Sequence, residues 1–154
     1  MRQTTPMQEQ TTPDRNVALV RRFYECYASG DLESMRNEVL APDVRWTIPG
    51  HHPMSGTKQG AEEITAYFRQ LQKADFKAET LILAANDEYV IDCHRGWGRH
   101  GDQELDILWC LLYRTRDGRI AEVVNFAADQ HAADAFFWST WQLKPIPERL
   151  KDPR

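Results

Sequence analysis

From Phe76 to Ala127 the chain reads as four successive strands, Phe76–Ala84, Tyr89–Gly98, Gln103–Thr115 and Arg119–Ala127. Turn signals separate them at Asn86-Asp87, His100-Gly101 and Asp117-Gly118. Strands joined by such short links pair as antiparallel neighbours. Asp117-Gly118 is the strongest of the three signals, because Asp and Gly accept the left-handed backbone of a two-residue hairpin turn. A sheet built this way must bury one face, and the material to cover it lies upstream. Asp14 reads as the N-cap of a first helix in which Leu19, Val20, Phe23, Tyr24 and Tyr27 recur at helical spacing. Ser29-Gly30-Asp31 closes it, and Asp31 caps a second short helix through Leu40. Ala41-Pro42-Asp43 breaks that helix, Val44–Ile48 alternates as a strand, and Pro49-Gly50 ends it. After a loop over His51–Gly60, a third helix runs from about Ala61 to Lys73 with Ile64, Tyr67, Phe68 and Leu71 inside. Helices in the first half and a run of strands in the second give an α+β fold.

At 154 residues the chain fits one domain, expected over 14–141 between mobile tails at 1–13 and 142–154. The net charge of −4, with both signs interspersed, lacks the basic stripe of a nucleic-acid-binding surface. No apolar run approaches the roughly 18–20 residues that span a bilayer. The polar start MRQTTPMQEQTTPDR has no apolar h-region, so a cytoplasmic protein is expected. Cys26, Cys93 and Cys110 are odd in number and widely spaced, which suits reduced thiols. The histidines form neither HxH nor HExxH, so no metal or other cofactor is expected.

Four stretches, FYECYASGDLESM, LAPDVRWTIPG, MSGTKQGAEEITAYF and LYRTRDGRIAEVVNFAADQ, occur in an order and spacing that resembles the SnoaL-like branch of the nuclear-transport-factor-2-like superfamily, over about Asn16 to Phe137. The resemblance implies a cone-shaped, curved, mixed or antiparallel sheet. Three helices from the N-terminal half pack over its concave face and enclose a pocket. It also implies a small hydrophobic organic ligand and a homodimer formed through the sheet. The family includes polyketide cyclases, ketosteroid isomerase, limonene epoxide hydrolase and members that only bind, so the fold alone does not assign an activity. Aligned with the isomerase, Ile48, Phe23 and Cys110 stand where the base and the two oxyanion donors belong. Ile and Phe cannot transfer or donate a proton, so ketosteroid isomerase chemistry at those positions is not expected.

Hairpin geometry places the remaining polar residues. A two-residue turn at His100-Gly101 sets Arg95 opposite Asp106, and one at Asp117-Gly118 sets Asp106 opposite Asp129 and Cys110 opposite Asn125. Trp97 and Val123 share that face, which the family match puts toward the cavity. An Asp106–Arg95–Asp129 cluster with Asn125 nearby resembles in chemistry the Asp–Arg–Asp group of limonene epoxide hydrolase. Two close carboxylates split their proton affinities, and the guanidinium holds one ionised. The alternative is a structural Arg95–Asp106 ion pair, with Asp129 capping a helix begun by Gln130. A one-residue slip instead brings His94 opposite Asp106, a His–Asp pair of the kind SnoaL-type cyclases use; the sequence leaves the register open.

Trp46, Phe23, Tyr27, Phe68 and Trp97 are expected as apolar pocket walls, with Ile48, His51, Cys110 and Asn125 as further ligand contacts. His51 and His52 also read as solvated loop residues, and Cys110 as a small buried hydrophobe. Trp109, Phe126 and Tyr113 fall on the face turned away from the cavity, to be covered by a second copy or by Phe136, Phe137, Trp138 and Trp141. The leading function is a cofactor-independent acid–base enzyme of the cyclase, isomerase or epoxide-hydrolase kind. Its alternative is a non-catalytic ligand-binding or accessory protein.

Overall fold

A computed structural model describes residues 9–141; the tail expected at 142–154 and residues 1–8 of the one expected at 1–13 lie outside them, while Thr12 and Pro13 belong to the first helix rather than to a tail. Helix α1 (Thr12–Ser29) starts two residues before Asp14, the expected N-cap. Thr11 is the N-cap, and Asp14 closes a capping box: each side chain accepts the other's backbone N–H at 3.3 Å. Pro13 sits in the first turn, where a missing N–H costs nothing. Gly30, at φ 74°, ends the helix in the left-handed region. The short helix α2 (Leu32–Ser34), capped by Asp31, runs into a wide π turn over Met35–Val39.

Strand β1 (Leu40–Ile48) begins earlier than the expected Val44. Pro42 and Asp43 lie exposed, and pairing with the last strand shifts register between Leu40 and Arg45. That irregularity accommodates a residue with no N–H to donate. Strand β2 (Gly56–Gln59), inside the expected 51–60 loop, pairs antiparallel with β1. Helix α3 (Gly60–Lys73) is followed by β3 (Lys77–Ala85), β4 (Tyr89–His100), β5 (Gln103–Arg116), β6 (Arg119–Ala127) and α4 (Gln130–Thr140). The sheet order is β2-β1-β6-β5-β4-β3, with β1 and β6 parallel and the other neighbours antiparallel.

Two turns decide which side chains face inward. The β4–β5 turn is Gly101-Asp102, flanked by the pair His100 and Gln103, so the register differs from both expected versions. Asp106 stands opposite Trp97, Arg95 opposite Leu108 and His94 opposite Trp109. Because the shift is two residues, Arg95 and Asp106 keep a common face as diagonal neighbours. At the β5–β6 hairpin, Asp117-Gly118 is the expected turn, but Ala121 is an extra residue: Thr115 pairs with Ile120 and Arg114 with Glu122. Beyond this bulge Leu111 faces Asn125 and Cys110 faces Phe126. One inserted residue inverts the relation of β6's faces to those of β5.

The inner face therefore carries Val90, Asp92, His94, Trp109, Leu111, Tyr113 and Val123, all buried. Trp109 and Tyr113, expected outside, lie inside; Arg95, Trp97, Asp106 and Cys110, expected inside, lie on the outer face. Phe23 of α1 is the hub of the core, with ring centroids 5.3 Å from Trp46, 5.4 Å from Phe68 and 6.1 Å from Tyr113. Burying each such side chain contributes about 1.5–3 kcal/mol. Phe136 and Phe137 of α4 close the end of the cone against Phe76 rather than covering the outer sheet face. Among the described residues no helix is long and apolar enough to cross a membrane.

Candidate functional site

Between α1, α3 and the inner sheet face lies a cavity of about 70 Å³. Its walls are aromatic and include Phe23, Tyr27, Trp46 and Phe68, with Asn125 and His94 as polar members. It adjoins a surface groove of about 730 Å³, the two sharing Tyr24, Tyr27, Phe76, Lys77 and Ala78.

The polar centre of this wall is Asp92, whose side chain is wholly buried on β4. Two residues along the same strand face, His94 presents Nδ1 to Asp92 Oδ1 at 2.6 Å. Asp92 Oδ2 accepts the Tyr24 hydroxyl at 2.7 Å and the Tyr113 hydroxyl at 2.6 Å. Tyr24 also lies 3.2 Å from His94 Nδ1. Burial, and then the charge of Asp92, push the Tyr24 hydroxyl far above its ordinary titration range. Burial does the same to Tyr113, so both phenols stay protonated donors. Two hydroxyl donors and His94 Nδ1 converge on this one carboxylate; toward an ionised Asp92 the imidazole can only donate from Nδ1, which leaves Nε2 as the nitrogen not engaged with Asp92. His94 lines the cavity, and Nε2 has no hydrogen-bond partner among the described residues. A base oriented by a buried carboxylate, at the wall of an apolar cavity, can take and return a proton.

Arg95 and Asp106 form a bidentate pair at 2.8 and 2.6 Å, but their side chains are 44% and 51% exposed on the outer face. Hydrogen bonding from Arg95 lowers the Asp106 pKa, and the guanidinium lies 4.4 Å over the Trp97 ring. This corrects their expected place on the cavity wall. Asp129 is not beside Asp106: it is exposed and caps α4, accepting the Ala132 N–H at 2.9 Å. Cys110 faces Cys93 across the outer side of the sheet, and burial raises its pKa. Ile48 is buried outside the cavity lining. His51 is exposed, its N–H donating to Asp134 at 3.2 Å, whereas His52, expected to be solvated, is buried and stacked on Phe137. Among the described residues no three His, Cys, Asp or Glu side chains converge as a metal site. Neutralising the outer pair with Asp106→Asn should leave turnover and ligand affinity unchanged, as side-by-side assays of the variant and the parent protein would show.

Asp92, Tyr24 and Tyr113 were absent from the site expected from sequence. A signal for them existed. The face of β4 and β5 bearing Arg95, Arg99, Glu104, Asp106, Arg114 and Arg116 is too charged to be a core wall. The other face carries Val90, Leu105, Trp109, Leu111 and Tyr113, so the Asp92-Cys93-His94 spacing places a carboxylate and an imidazole among apolar side chains.

A mixed six-stranded sheet packed with helices defines an α+β cone fold. The SnoaL-like domain model matches residues 20–123, and the chain belongs to that family. An uncharacterised Mycobacterium tuberculosis protein is 29% identical over 130 residues, covering 82% of this chain and 98% of its own. The solved structure of Bal32a, from a soil-derived mobile gene cassette, is 29% identical with a TM-score of 0.78, covering 82% of this chain and 99% of that one. An LEH-like epoxide hydrolase of M. tuberculosis shares the fold at 15% identity and a TM-score of 0.65, covering 84% of this chain and 90% of its own.

Proposed function

We propose that this chain is a cofactor-independent acid–base enzyme acting on a small hydrophobic molecule, of the cyclase, isomerase or epoxide-hydrolase type. The observation that carries this reading is the His94–Asp92 contact of 2.6 Å at the wall of the aromatic cavity. His94 Nε2 takes a proton from substrate or from an attacking water, and the same nitrogen returns it. Asp92 fixes the ring and its tautomer and offsets the charge that forms on the imidazole. The rings of Phe23, Trp46 and Phe68 hold the apolar body of the substrate and exclude bulk water. The free cysteines suit a cytoplasmic setting.

The test is a panel of small cyclic ketones and epoxides, followed by NMR in deuterated water for proton exchange, isomerisation or ring opening. His94→Gln should lower the rate of any substrate found by at least a hundredfold, with circular dichroism confirming the fold. A rate unchanged by that substitution rejects the proposal. The mainly aromatic lining, with few polar members, also suits a second reading, a receptor that binds without turnover. In that case ligands saturate the protein and none is altered.

The partner proposed for the outer sheet face is a second copy. Ile82, Ile91, Leu108 and Phe126 are exposed there, apolar side chains that the same face of a second copy would cover. Phe126→Glu should convert a dimer to a monomer in light-scattering measurements; a parent protein that is already monomeric rejects it.

A further inference from the structure

Among the described residues, one buried side-chain polar atom lacks a hydrogen-bond partner: Trp109 Nε1. Trp109 is only 7% exposed and lines the same cavity as His94. A buried donor left unpaired is costly, and its persistence in the cavity wall points to a ligand that completes it. The surroundings show how the indole is held there. Trp109 is the cross-strand partner of His94 and leans toward Gly96, the next inward position of β4. Gly96 has an ordinary negative φ, so its backbone conformation does not require glycine. Space does: a Cβ at that position would stand 2.7 Å from both Nε1 and Cδ1 of the indole. The same point lies 3.5 Å from His94 Nε2. Glycine at 96 thus lets the indole lie against the strand, with its N–H edge and His94 Nε2 both bordering the space a Cβ would take. Across the cavity wall Asn125 Oδ1 accepts the Trp46 Nε1–H at 2.7 Å, which leaves the Asn125 amide N–H groups as a further donor.

We infer that the Trp109 indole N–H binds an acceptor oxygen of the ligand, so that the site selects small, mainly apolar molecules carrying a carbonyl group beside the atom whose proton His94 handles. The inference rests on the acid–base reading for the role of His94, but the oxygen site is defined by Trp109 and Gly96. A hydrocarbon of the same shape leaves the indole N–H unpaired and is disfavoured.

The test uses an isosteric pair, cyclohexanone and methylenecyclohexane, which differ in having an oxygen or a CH₂ at the probe position. Calorimetry on the parent protein should show cyclohexanone binding about tenfold more tightly. The indole ¹⁵N–¹H resonance of Trp109, assigned by its disappearance in Trp109→Phe, should move downfield with the ketone and not with the alkene. Trp109→Phe should reduce the ketone's affinity to that of the alkene. Gly96→Ala displaces the indole without deleting it and should erase the same preference, which keeps the inference testable if the phenylalanine variant folds poorly. Equal affinity of the two probes for the parent protein, or a preference that survives both substitutions, overturns it. Preference absent while His94→Gln still abolishes turnover removes the Trp109 site alone. Preference present in a protein that turns nothing over leaves this site standing and removes the acid–base reading.

Discussion

Asp92→Asn should lower turnover by about 10³–10⁴-fold, the scale on which a carboxylate-to-amide change behind a catalytic histidine acts. It should also destabilise the fold by about 2–4 kcal/mol. Both effects follow from counting donors. In the parent protein one carboxylate oxygen accepts from His94 Nδ1 and the other from the hydroxyls of Tyr24 and Tyr113. Asparagine offers one oxygen and one NH₂. With the NH₂ toward His94, Nδ1 must become the acceptor, so the proton moves to Nε2 and the lone pair facing the cavity is lost. With the NH₂ toward the tyrosines, their hydroxyl oxygens can accept from it, but both buried O–H donors lose the carboxylate; Tyr113 can still donate to the Tyr24 oxygen at 3.2 Å, and the Tyr24 O–H is left without its acceptor. Either orientation leaves the imidazolium formed during proton transfer without a balancing negative charge. Turnover and urea-denaturation midpoints measured on one preparation separate the two effects. A variant retaining turnover within about threefold of the parent would remove Asp92 from the chemistry, since even modest acid–base assistance exceeds that range.

How far this site could be read from the chain depended on which physical signal each residue carried. Phe23, Tyr27 and Phe68 recur at helical spacing and Trp46 alternates with polar neighbours, so local periodicity alone places them on inward faces. Asp117-Gly118 has a turn chemistry that few other structures need, and it forms that turn. The faces of β4, β5 and β6 are fixed by longer-range facts. Asp102, rather than His100, completes the two-residue β4–β5 turn with Gly101. Both choices put Gly101 at a turn position, and local propensity does not separate them. The bulge at Ala121 has no marker at all in an Arg-Ile-Ala-Glu run, yet it exchanges Cys110 for Leu111 as the partner of Asn125. Strand β2 escaped notice because four residues, Gly-Thr-Lys-Gln, are too few to show a period. The tyrosines of the polar cluster come from α1 and β5, far apart in the chain, and only the packing of helix on sheet brings their hydroxyls to one carboxylate.

Trp46→Ala should cost about 3–5 kcal/mol, a large share of the roughly 5–15 kcal/mol that holds a domain of this size together. Trp46 is 1% exposed, and its ring meets Phe23, Phe68 and Tyr113 at centroid distances of 5.3, 5.2 and 6.1 Å. None of these neighbours can fill the space of an indole without leaving its own partners, because Phe23 is at once in contact with Tyr24 and Phe68. The lost ring therefore becomes void that adds to the existing cavity. Asn125 Oδ1 loses the indole N–H in the same step, which adds the cost of an unpaired acceptor at the cavity wall. Two measurements check the account. Urea denaturation gives the loss directly, and a value below about 1 kcal/mol would mean that the core collapses into the space and is not close-packed around Trp46. Adding free indole supplies the missing shape and its N–H donor. It should raise the midpoint of the variant more than that of the parent, because only the variant holds a void of indole shape beside Asn125.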